Sequence, residues 1–195
     1  MVGVGSGERA DAARNREKIL SAAERLFAEQ GSDRVSMEAV AEAAGVGKGT
    51  VYRRFGDRAT LARTLMDHRE RRFQDQCIRG EPPLGPGAPA AERLAAFGEA
   101  LLELIEDHAD LLLAIETAAP GGRHSSPVYA FYLAHVMLLV RELNPRLDTE
   151  YTAGVLLAAL GAEQVHVWRD QQAMSRERIA TGYRALVREL SAGPG

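Results

Sequence analysis

"SMEAVAEAAGVGKGTVYRRF", residues 36–55, is the stretch on which the fold turns. Its middle, "GVGKGT" at 45–50, has the glycines, lysine and threonine of a phosphate-binding loop. Such a loop opens on a glycine five positions before the one that closes it, so that backbone N–H groups can cradle the anion. Counting back from Gly47 reaches Glu42, whose carboxylate would crowd and repel a phosphate. Gly49 rather than Ser or Thr follows Lys48, with Thr50 one place late. The loop should also leave a strand, whereas Met37, Val40, Ala41 and Ala44 recur at spacings of three and four, the period of an amphipathic helix. The nucleotide reading, a helical phosphoryl-transfer enzyme, therefore gives way to one of two helices around a turn.

Ser36 is placed to cap the earlier helix, and Gly45 to end it after Ala44. Gly45-Val46-Gly47 then separates it from a short helix expected over Lys48 to Phe55. Val51 and Phe55, four apart, point inward with Val46, which leaves Lys48, Gly49, Thr50, Tyr52, Arg53 and Arg54 available to a partner. So short and donor-rich a helix buries too little apolar area to be explained as core. A pair of helices joined by a tight glycine-containing turn is a helix-turn-helix, in which the second helix enters the DNA major groove while the first braces it. Lys48 and Arg53 can donate to guanine or phosphate, and the Thr50 and Tyr52 hydroxyls suit phosphate oxygens. Ser36, as a cap, and Arg58, at the start of the next helix, add two more candidate phosphate contacts. Each residue taken alone also fits a solvated helix face; their convergence on one short element favours DNA.

"ILSAAERLFAEQG" followed by "VSMEAVAEAAGVGKGTVYRRFGDRATL" resembles the amino-terminal domain of the TetR (tetracycline repressor) family of transcriptional regulators over residues 15–65. The resemblance implies an all-α protein of about nine helices: a three-helix DNA-binding head containing the helix-turn-helix, and a fourth helix linking it to an all-helical ligand-binding and dimerisation body. It implies repression relieved by a small molecule, and DNA-facing roles for Ser36, Lys48, Thr50, Tyr52, Arg53 and Arg58. Arg54 departs from the pattern, which often has His there, and adds a charge.

The expected organisation is a flexible arm at 1–14, the DNA-binding domain at 15–60, a connecting helix at 61–79, a Pro/Gly-rich linker at 80–89 and a helical domain at 90–195. The arm is read from its glycines, and the linker from "GEPPLGPGAP", which cannot continue a helix. With 195 residues, 46% apolar, the chain can bury a sizeable core. Its apolar runs are too short to span a bilayer and no secretion segment opens it, so a cytoplasmic location is expected. The lone Cys77 excludes an internal disulfide framework. Residues 1–79 hold fifteen Lys and Arg against twelve Asp and Glu, whereas 80–195 hold nine against fifteen. A positive front joined to an acidic remainder fits a polyanion partner for the front alone.

Beyond the linker the pattern stays helical, with no strand period and no repeat. Leu94, Phe97, Leu101, Leu104 and Ile105 form one stripe. Ser126-Pro127 starts a helix that Asn144-Pro145 stops; Asp148 caps the next, expected over about Thr149 to Arg169, and Ser175 the last. An apolar pocket with a few polar groups is expected around Phe97, Leu101, His108, Leu112, Glu116, Tyr132, His135, Gln164 and Trp168. Both His108 and His135 are also readable as core histidines. No Ser/His/Asp or Cys/His grouping stands out, and His166 with Glu163 is no metal site, so neither an enzyme nor a resident cofactor is expected. An unidentified small-molecule effector is.

The family resemblance implies that the last two helices pair with a second copy. Gly154, Ala158, Gly161 and Ala162 would permit close approach, and Ile179, Tyr183, Leu186, Val187 and Leu190 make a one-sided stripe. Packing within one chain is the alternative for that stripe. The expected partners are thus an operator duplex, a second copy and an effector, with no membrane.

Overall fold

A computed structural model of the chain describes residues 4–30, 34–109, 112 and 123–192. Among the described residues there are nine α-helices and no strand. They divide into two compact units, one ending at Arg69 and the other starting at Glu70.

The first unit begins with α1, Val4–Gln30, followed by α2, Met37–Ala44, and α3, Lys48–Phe55. Helix α4, Arg58–Arg79, starts in this unit and ends in the next. Ile19, Leu20, Ala23 and Phe27 of α1 share one buried cluster with Val35, Met37, Val40, Ala41, Val51, Phe55, Leu61 and Leu65. These are the i, i+3, i+4 positions of the sequence pattern, now closed on one another. Two differences from expectation are clear. Residues 4–14, expected as part of the flexible arm, belong to α1, because Ala, Arg and Glu from Glu8 onward are strong helix formers that outweigh the glycines ahead of them. The division between units falls inside α4, between Arg69 and Glu70, and not at the Pro/Gly-rich stretch. The latter half of α4 carries Phe73 and Cys77, both buried within the second unit, so the core ignores the sequence punctuation.

In the second unit α5 spans Ala90–Asp107, α6 Pro127–Leu143, α7 Thr149–Ala158, α8 Ala162–His166 and α9 Arg176–Ala192. Three caps read from sequence are in place: Ser126 Oγ accepts from Tyr129 N at 3.1 Å, Asp148 Oδ1 from Tyr151 N at 3.0 Å, and Ser175 Oγ from Arg178 N at 3.2 Å. The single helix expected over Thr149 to Arg169 is instead broken. Helix α7 stops at Ala158, α8 starts at Ala162, and a wider π turn occupies Val167–Gln171. Arg123 explains the first break: its Nη2 donates to the carbonyls of Leu157 at 2.8 Å and Leu160 at 3.2 Å, supplying charge and donors where the end of a helix lacks them. Gly161 makes room, since a Cβ there would lie 2.4 Å from Arg123 Nη1.

Candidate functional site

The turn of the first unit is built by local rules. Ser36 Oγ accepts from Ala39 N at 3.1 Å, which caps α2. Gly45 stands at φ 64°, left-handed backbone open to glycine at little cost, and its N–H returns to the last carbonyls of α2. Val51 and Phe55 bury one side of α3 in the cluster. The other side carries Lys48, Gly49, Tyr52, Arg53 and Arg54, all exposed, with Thr50 half-buried beside them. Tyr52, 41% exposed, is a large aromatic that the core does not claim. Arg58 is exposed at the first position of α4, which Asp57 caps by accepting from Thr60 N at 2.7 Å. That backbone donor holds the Asp57 carboxyl below its ordinary range.

Three of the exposed donors, Lys48, Tyr52 and Arg54, have internal partners that spacing did not reveal. Lys48 Nζ forms an ion pair with Glu38 Oε1, Tyr52 OH donates to the same oxygen at 3.2 Å, and Lys48 lies 5.6 Å from the centre of the Tyr52 ring. The Lys48 hydrogen bond holds Glu38 below the usual carboxylate range, and Glu38 in turn raises Lys48. Arg54 donates to the Ala12 carbonyl of α1, so this guanidinium, expected to face a partner, reaches back across the unit. Glu38 is the residue that sequence reading passed over. Its signal was an acid in the first turn of α2, where a helix favours negative charge.

Three of the residues expected to line a pocket in the second unit come together. Phe97, Tyr132 and His135 are buried in an aromatic cluster with Phe73; ring centres lie 5.3 Å apart for Phe73 and Phe97, 5.6 Å for Phe97 and Tyr132, and 5.4 Å for Phe97 and His135. Leu101 is buried on α5 with Phe97, while His108 and Leu112 are half-buried and joined by a backbone bond of 3.0 Å. Gln164 is half-buried on α8, and Glu116 lies outside the described residues. Glu70, unnoticed in the sequence, is buried against the cluster and accepts the Tyr132 hydroxyl. Among the described residues His135 Nε2 is buried with no hydrogen-bond partner, and burial pushes its pKa down to about 4. His166 pairs with Asp170 at 2.8 Å.

Trp168 belongs elsewhere. It lines a cavity of about 350 Å³ with Leu160, Met174, Arg178, Ile179 and Leu186. Of the residues assigned to a subunit interface, Gly161, Ala162, Ile179, Tyr183 and Val187 are buried within this chain, and Leu190 is half-buried. Gly161 in particular is filled by Arg123, so it offers no close approach to another helix. Gly154 is half-buried with open space around it, and Ala158 and Leu186 are exposed. They are joined by two residues that the stripe did not include, Tyr151 at 73% and Val155 at 50% exposed.

Comparison with known proteins places this geometry. Residues 19–65 match the model of bacterial regulatory proteins, tetR family. An HTH-type transcriptional regulator of Staphylococcus aureus strain USA300 is 43% identical over 53 residues, which are 27% of this chain and 29% of that relative's length. Two solved structures share the fold at low identity. The fatty acid degradation regulator FadR from Bacillus halodurans is 20% identical with a TM-score of 0.60, over 92% of this chain and 95% of that one. FadR from Bacillus subtilis, solved in complex with stearoyl-CoA, is 19% identical with a TM-score of 0.59, over 92% and 99%. Residues 19–65 thus match the amino-terminal domain of the tetR family of bacterial regulatory proteins, and the likeness beyond them is one of fold.

Proposed function

We propose that the chain is a sequence-specific DNA-binding transcriptional regulator, a ligand-relieved repressor acting as a homodimer on a near-palindromic operator. The observation that carries this reading is the outer face of α3, where Lys48, Tyr52 and Arg53 stand clear of a core that holds the helix by Val51 and Phe55. A rigid short helix with donors on its free side is what the major groove accepts. Tyr151, Val155 and Leu186 leave apolar surface uncovered, which supports a second copy as partner. The stearoyl-CoA of the Bacillus subtilis protein supports a small-molecule effector for a body of this fold. The effector favours one conformation of the body, shifts the separation of two heads through α4, and so opposes operator binding reciprocally.

Genomic fragments retained by the purified chain identify the operator. Binding to them should weaken steeply with salt, and Lys48→Ala and Tyr52→Ala should abolish it at physiological ionic strength. A chain that retains no fragment even in dilute buffer refutes the reading. Effector titration that leaves operator affinity unchanged refutes the ligand-relieved part alone.

A further inference from the structure

Glu38 is an acid at the centre of a face otherwise built to meet an anion. It stands in the first turn of α2, while Lys48 and Tyr52 lie one turn apart on α3 and so share a face. Oxygen Oε1 of Glu38 takes both the Lys48 ammonium and the Tyr52 hydroxyl, the latter at 3.2 Å, and the ammonium also lies 5.6 Å from the Tyr52 ring centre. Three side chains thus hold one another before any duplex arrives, and the most exposed aromatic of the head is fixed in place.

This arrangement has a consequence for recognition. A phosphate can draw Lys48 only by separating it from Glu38 or by coming near a carboxylate, and both raise the free energy of a contact that reads no sequence. A base edge differs, because a carboxylate accepts from the amino group of cytosine. We propose that Glu38 is a specificity-determining residue: it disfavours backbone-only binding by neutralising Lys48, and it is satisfied where the target presents an exocyclic amino group in the major groove. The inference rests on the DNA-binding reading above.

Full-length chain and its Glu38→Gln, Glu38→Ala and Glu38→Asp variants test it, against the best-retained genomic fragment and a scrambled duplex of equal length. Removing the charge should tighten binding to the scrambled duplex and steepen its log affinity against log salt by about one, the increment of one more phosphate contact. The ratio of specific to scrambled affinity should fall roughly tenfold, within the range of one base contact. Glu38→Asp, which keeps the charge, should restore part of that ratio. The proposal is overturned if Glu38→Gln weakens both duplexes alike with the slope unchanged, the signature of a brace that only holds α3, or if it changes neither. Wild-type chain that binds no duplex at all overturns the DNA-binding reading itself, whereas wild-type binding with an unaltered Glu38→Gln ratio overturns only the role of Glu38.

Discussion

The unit ending at Arg69 and the unit starting at Glu70 are both helical, yet they keep their polar chemistry in opposite places. In the first, the distinctive groups are on the outside: Lys48, Tyr52 and Arg53 are exposed while Val51 and Phe55 anchor their helix. In the second they are inside, where Glu70 accepts the Tyr132 hydroxyl and His135 is enclosed by Phe97 and Phe131. A function carried on a surface can tolerate substitution of its residues without loss of the fold. One carried in an interior cannot, because each polar group there is also a packing element.

The largest effect should come from the interior. Phe97 is fully buried and touches Phe73, Tyr132 and His135, so Phe97→Ala should cost about 3–5 kcal/mol by leaving a cavity. Trp168, the single tryptophan, belongs to the second unit and reports its urea unfolding by fluorescence. A cost under about 1 kcal/mol would mean that the cluster collapses around the loss, which breaks the picture of a tightly specified interior. Next in size is a pH effect. Burial lowers His135 from 6.5 to about 4, so between those values the unfolded chain binds a proton that the folded chain refuses. This contribution is whole above the window and falls as pH drops through it, by about 3 kcal/mol at most. His135→Gln should flatten that part of the stability profile; an unchanged slope would place His135 in contact with solvent.

The same contrast decides what could be read from the sequence. Ser36 and Gly45 act within a few residues of themselves, and Val51 and Phe55 mark the inward face of α3 by a spacing of four, so α2, the turn and α3 are legible to their ends. The break after Ala158 was not, because it depends on Arg123, brought from far along the chain to the Leu157 and Leu160 carbonyls. Glu70 sits in a charged run, "DHRERR" at 67–72, and nothing nearby announces Tyr132 as its partner. Periodicity shows which residues face inward but not what they meet, and so Phe97 and Trp168 were grouped although one is in the aromatic cluster and the other lines a separate cavity. Even in the first unit the long-range contacts, Lys48 with Glu38 and Arg54 with Ala12, escaped the pattern.

Smaller changes sharpen the comparison. Tyr132→Phe removes a donor from the buried Glu70 without altering shape, and should lower stability by about 1–3 kcal/mol in the same fluorescence assay. Ser36→Ala deletes a cap that is local to α2 and should cost about 1 kcal/mol, with Ser36→Gly costing only a few tenths, as read by thermal unfolding. Arg53 lies at the far end of the scale. It is exposed, and no ion pair or hydrogen bond ties its side chain to the described residues. Arg53→Ala should therefore leave the unfolding midpoint unchanged while lowering the salt slope of duplex binding by about one. If instead the variant unfolded earlier and kept its slope, Arg53 would be supporting the head rather than serving its surface. The separation of outward and inward chemistry would then fail at the residue where it is most exposed to test.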